Sequence, residues 1–157
     1  MTTKNGPSGR CTTLAHLADP DYHSAVRVFL SYHHNDARTA AMIRKTLERA
    51  RFEVWDPIGG LLPGDNLHEA LATALRSAQA IVVLLSPEAI DDPSFRHEIS
   101  YALGESRFDG RLVPVVIRPV PKVPWILGKL QVLDIHSDVK RGSRRIVEAL
   151  RRKPTAA

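Results

Sequence analysis

Ala80-Ile81-Val82-Val83-Leu84-Leu85 is an unbroken apolar run, rich in β-branched residues and closed by Ser86-Pro87. A strand with one wet face alternates polar and apolar residues. This run does not alternate, so it has the composition of a strand buried on both faces at the centre of a parallel sheet. Upstream, Val26-Arg27-Val28-Phe29-Leu30-Ser31 is another short buried strand, and Phe52-Glu53-Val54-Trp55-Asp56 alternates as a further one. Between them Ala40, Ile43, Leu47 and Ala50 trace one face of a helix that Asn35 is placed to cap and that ends near Arg51. Asn66 and Glu69 have the spacing of a capping box, opening a helix with the stripe Leu67, Ala70, Leu71, Ala74, Leu75 and Ala78.

Downstream, Asp91-Asp92-Pro93 supplies a cap and a first-turn proline for a helix that buries Phe95, Ile99, Ala102 and Leu103. Leu112 to Ile117 is a fourth strand, in which Pro114 argues for a place near an edge or a strand end. A connection rich in proline (Pro119, Pro121, Pro124) leads to a fifth, Leu130 to Ile135, and a last helix turns Val139, Ile146, Val147 and Leu150 inward. Strands alternating with helices predict a flavodoxin-like α/β fold: an open five-stranded parallel sheet with helices on both faces.

Length and composition bound what this fold can be used for. The chain has 157 residues, 43% of them hydrophobic and 25% charged, which predicts one folded domain. Residues 1–24 hold Gly, Pro, Ser and Thr without periodicity and read as a flexible leader, with the domain at 25–153 and a tail at 154–157. No apolar run is long enough to span a bilayer, and the N-terminus lacks the apolar core of a secretory signal. Cys11 is the only cysteine, which excludes an intrachain disulfide or a cysteine-cluster metal site. The expectation is a cytoplasmic protein with no membrane partner. Of the net charge of +5, much lies near the C-terminus, from Lys140 to Lys153. Without aromatic residues interleaved for base stacking, this reads as a solvated helix face and not a nucleic-acid surface.

Open parallel sheets bind ligands beyond the carboxyl ends of their strands. Here those ends carry Ser31-Tyr32-His33-His34, Asp56 with the loop after it, Ser86-Pro87, and the first half of the helix after Pro93. The acidic cluster of a phosphoacceptor receiver is missing, and so is a Gly-x-Gly-x-x-Gly dinucleotide loop. Gly59 and Gly64 have phosphate-loop spacing, but Asp65-Asn66 stand where Lys and Ser/Thr are needed. No Gly-x-Ser-x-Gly elbow occurs, and His33-His34 lack further ligands for a metal. Glu98 remains, a carboxylate on the flank of the Phe95/Ile99 stripe. Periodicity alone leaves open whether it is a boundary residue or a positioned catalytic group.

Several short stretches together resemble the TIR (Toll/interleukin-1 receptor homology) domain, from about Val26 to Arg152. Val28-Phe29-Leu30-Ser31-Tyr32 is similar to the family's strand-one box. Phe52 to Asp56 with Leu61-Leu62-Pro63-Gly64-Asp65 resembles its second strand and BB loop, and Val82 to Pro87 its third strand with a Ser-Pro end. Val113 to Val116 and Leu130-Gln131 follow in the family's order. The resemblance implies one of two functions. Bacterial enzymatic members cleave NAD at the nicotinamide–ribose bond, giving nicotinamide and ADP-ribose or a cyclic isomer, in immunity or host interference. Other members are adaptors that signal by homotypic assembly.

For the first kind the resemblance implies Glu98 as catalytic residue, NAD as substrate and no cofactor or metal. Tyr32, His33, His34, Trp55, Leu62, Gly64 and Phe95 would contact the dinucleotide or shape the mouth of the site. Ser94 stands where enzymatic relatives commonly carry Trp. Both kinds imply self-association through the 57–65 loop, with a separate TIR or sensor protein as a further partner.

Overall fold

The computed structural model describes residues 26–56, 63–128 and 130–152. The leader at 1–24, the tail at 154–157 and most of the 57–65 loop, Leu62 included, lie outside the described residues. The strands are β1 (Arg27–Ser31), β2 (Glu53–Trp55), β3 (Ala80–Leu85), β4 (Leu112–Val116) and β5 (Leu133–Asp134). The helices are α1 (Ala37–Arg49), α2 (Leu67–Ser77), α3 (Pro87–Asp91), α4 (Pro93–Gly104) and α5 (Val139–Arg151). All strand pairs are parallel and the order is β2-β1-β3-β4-β5. This is the flavodoxin-like sheet that the alternation predicts.

β3 is central and every residue in it is buried. Side chains alternate across the sheet, so each strand feeds two cores. Val28, Leu30, Val82, Leu84, Val113 and Val115 pack with Ala40, Ile43 and Leu47 of α1 and with Ile146, Val147 and Leu150 of α5. Phe29, Ile81, Val83, Leu85 and Val116 pack on the other side with Ala74, Leu75 and Ala78 of α2, Ala89 of α3, and Phe95, Ile99 and Ala102 of α4. Leu103, expected inside with the α4 stripe, is instead exposed.

Two local expectations are revised, and one short helix is added. The helix cap of α1 is Asp36, not Asn35; Asn35 belongs to a 3-10 turn (His34–Asp36) in which its N–H donates to His33 Nδ1 at 3.1 Å. The segment after Ser86-Pro87 holds a further short helix: Ser86 Oγ accepts from Ala89 N–H and starts the one-turn helix α3. Pro114 lies inside the sheet order, with β4 between β3 and β5. Its tolerance has a geometric cause. The Val116 carbonyl accepts from Ile135 N–H, so the even-numbered residues of β4 turn their backbone groups toward β5. β5 pairs only with Val115 and Val116, leaving the missing N–H of Pro114 on a locally open edge. Asn66 does cap α2, accepting from Glu69 N–H at 3.2 Å as its capping-box spacing predicts.

A buried polar cluster ties the strand ends together. Asp36 is only 3% exposed. It accepts from Ser86 Oγ at 2.5 Å and from Arg118 Nε at 2.9 Å, and Arg118 also pairs with Glu88. The segments following β1, β3 and β4 are thereby held in one arrangement. Asp36→Ala would strand the Ser86 hydroxyl and remove one of two carboxylates from a half-exposed guanidinium. We expect a loss of about 2 kcal/mol, below the range for a fully buried pair because Arg118 still reaches water. Urea unfolding with an unchanged m-value would show it; a loss below about 0.5 kcal/mol would mean that the cluster does not hold the strand ends.

Candidate functional site

The chain leaves β1 for β2 on one side and returns past it to β3 on the other. The crevice of this sheet therefore opens at the carboxyl ends of β1 and β3. Ser31 is the last residue of β1 and alternates onto the same face as Phe29. α4 packs on that face, anchored by Phe95 and Ile99, at 3% and 2% exposure. Glu98, one residue before Ile99, is thus carried to the end of β1. There its Oε2 accepts from Ser31 Oγ at 2.6 Å.

This pairing joins residues 67 positions apart. Burial raises the Glu98 carboxyl to about 7; the Ser31 hydrogen bond opposes that shift and the Asp92 charge adds to it. A carboxyl poised near neutrality at the ligand edge of an α/β sheet is the kind of group on which functional sites are built. Asp92 itself caps α4, accepting from Ser94 N–H at 2.9 Å, so the helix start that places Glu98 also supplies the neighbouring charge.

The other residues expected at the site are distributed unevenly. Trp55, the last residue of β2, is half-buried and stacks on Phe29 with ring centroids 5.2 Å apart, in the core layer on which α4 packs. It also lines a cavity of about 480 Å³ with Asp65, Asn66, Glu69 and Thr73 at the start of α2. Gly64 is exposed with φ +93°, a left-handed conformation that L side chains rarely adopt, at the end of the 57–65 loop. His33 is half-buried and His34 exposed, their rings 4.1 Å apart.

Two residues point elsewhere. Phe95 is core, 3% exposed, and gives the crevice no wall. Tyr32 falls in the opposite core layer, with α1 and α5, and its hydroxyl donates to Asp56 at 2.5 Å. Burial, followed by the Asp56 hydrogen bond, raises the Tyr32 phenol above its ordinary range. Arg44 pairs with Asp56 as well, at 3.4 Å.

Ser31, which in the sequence is only one of the residues at the strand ends, is brought to the candidate site by its contact with Glu98. Its signal was positional: a serine closing a buried strand at the ligand edge, on the face where α4 would pack. Among the described residues no cluster of His, Cys, Asp or Glu could hold a metal ion. No described helix is long and apolar enough to cross a membrane.

Comparison with solved structures agrees with this architecture. The TIR domain of the Toll-related receptor TRR-2 from Hydra magnipapillata superposes with a TM-score of 0.67 at 22% identity, over 80% of this chain and 98% of that one. A metazoan TIR-STING receptor from C. gigas, solved in complex with 2′,3′-cGAMP, gives 0.69 at 22% identity over 80% of this chain. Another structure of a metazoan TIR-STING receptor from C. gigas gives 0.66 at 22% identity over 82% of this chain. This chain spans only 39% and 40% of the two receptor chains. At such identity these likenesses establish the fold alone. No curated protein sequence matches. Residues 28–150 match the family profile of the TIR domain, which takes in all of the five strands but Arg27 and nearly all of α5, and the chain belongs to the TIR domain family.

Proposed function

We propose that this TIR domain hydrolyses NAD at the nicotinamide–ribose bond, with Glu98 as the catalytic carboxylate. The observation that carries the reading is the Glu98–Ser31 pair: a shielded carboxylate held by a hydroxyl at the crevice of the sheet. When the C1′–N bond breaks, both electrons pass to the pyridinium nitrogen and nicotinamide leaves neutral, so departure needs no general acid. The ribose left behind has oxocarbenium character. A carboxylate beside it stabilises the developing positive charge, and the partial burial of Glu98 strengthens that interaction. Attack by water at C1′ and loss of its proton gives ADP-ribose; attack by an adenine nitrogen gives a cyclic isomer.

Ser31 positions the carboxylate by donating to one oxygen and leaves the other for the ribose. Trp55 and the Gly64 end of the 57–65 loop form the β2 side of the mouth, and His33 and His34 stand beyond β1 where they can donate to phosphate. The 57–65 loop is also the proposed contact between copies, so activity is expected to rise with assembly.

The ionised form of Glu98 is the active one. With its carboxyl raised to about 7, kcat/KM for nicotinamide release should climb about tenfold per pH unit below that value and level off above it. Measuring release from concentrated protein between pH 5 and 9 tests this. A profile flat through neutrality would remove Glu98 from the reaction, and no release at any concentration would overturn the hydrolase reading.

A further inference from the structure

We propose that the groove between α4 and the β4–β5 connection is a ligand site separate from the crevice, taking an apolar chain that ends in a carboxylate. The groove holds about 470 Å³, within the range of small-molecule sites. Its floor is Phe95 and Ile99, and its far wall is Pro124, Trp125 and Ile126. Trp125 is 84% exposed, the most open of the large apolar side chains described. A ring left in water at the lip of an apolar channel is a surface that a partner molecule would cover.

The charges at the groove are of one sign. Arg96 and Lys122 line it, and no aspartate or glutamate does. Arg96 Nε donates to the Ile90 carbonyl at 2.7 Å, which holds the guanidinium on the α4 side. Neither Arg96 nor Lys122 has a carboxylate partner among the described residues. A cationic ligand would be repelled here, and a neutral one would gain nothing from the two exposed cations. An apolar body with one anionic end satisfies both features: the chain lies over Phe95, Ile99 and Trp125, and the head accepts hydrogen bonds from Arg96 and Lys122. The groove makes no use of Glu98 or of NAD, so this site stands or falls independently of the hydrolase reading.

The test titrates dodecanoate into the full chain, followed by tryptophan emission and by calorimetry, with dodecanol as the neutral counterpart. Saturable binding tighter than about 1 mM is expected, with an emission change that Trp125→Phe removes. Arg96 and Lys122 are exposed, so the variant Arg96→Ala/Lys122→Ala should keep the fold. It should weaken dodecanoate binding about tenfold or more, and dodecanol should bind wild type more weakly by a similar factor. Ile126→Arg, which places a charged side chain in the channel, should abolish binding. Absence of dodecanoate binding, equal affinity for the alcohol, or binding unchanged in the double variant would each overturn the proposal.

Discussion

Glu98→Gln is expected to lower nicotinamide release about 10²–10³-fold while making the protein more stable at alkaline pH. The first effect follows from removing the negative charge that faces the developing oxocarbenium ion; loss of one electrostatic stabiliser of a transition state has a cost of that order. The second follows from the burial that raises the Glu98 carboxyl to about 7. The folded state binds this proton more tightly than the unfolded state. The group's favourable contribution is therefore complete below about pH 4.5, where both states are protonated, and is lost as pH rises through about 7.

At pH 8 wild type carries a shielded, ionised carboxylate, at a cost of about 3 kcal/mol for the displacement involved. Glutamine has no charge to bury and can still accept from Ser31 Oγ. The variant should thus unfold at higher denaturant concentration than wild type at pH 8, and at nearly the same concentration near pH 4.5. Two measurements, a nicotinamide assay and urea unfolding at both pH values, check the pair of effects. Lost activity with lowered stability at pH 8 would make Glu98 a structural residue. Retained activity would exclude it from catalysis.

Gly142→Ala should destabilise the fold by about 3 kcal/mol or more, despite replacing glycine with the best helix former. In an isolated helix that exchange gains nearly 1 kcal/mol. Gly142, however, is where α5 crosses the end of β5. A Cβ there would stand 2.2 Å from Ile135 Cβ and 2.3 Å from Ile135 Cγ2. Neither atom is the free end of a flexible chain, and Ile135 is 2% exposed with its N–H bonded to the Val116 carbonyl. Relief therefore requires α5 to lift off the sheet, opening the layer that contains Ile146, Val147 and Leu150.

Gly104→Ala is the control, since a Cβ at the end of α4 meets nothing within 4 Å. It should be neutral or slightly stabilising. Thermal melts of the two variants side by side give the comparison. Equal melting temperatures would mean that α5 and β5 are not in contact as described.

Much of the fold could be read along the chain because its signals are local. The apolar run of β3, the asparagine cap of α2 and the proline at the start of α4 each lie within a few residues of the structure they specify. Where the reading failed, a distant partner had taken over. Asn35 has the composition of a helix cap, but the cap position went to Asp36, whose carboxylate is occupied by Ser86 and Arg118. Pro114 looked like an edge signal, and whether its missing N–H mattered depended on how short β5 turned out to be. Gly142 in a basic helix carries no mark of its role, because its constraint comes from Ile135 on another element.

The candidate site divides along the same line. From the sequence by itself came the parallel alternation of strands and helices, the position of α4 after the central strand, and Glu98 on the flank of its apolar stripe, with a family resemblance naming that carboxylate. Periodicity reports which side of an element is apolar, over a range of one or two turns. It does not report what the apolar side meets. Strand order and register decided that Ser31 reaches Glu98 while Tyr32, the next residue, turns into the opposite layer toward Asp56. Burial within that tertiary contact, and not residue type, moved the carboxyl toward neutrality. The physical reason is that desolvation and long-range hydrogen bonding exist only once distant segments have packed.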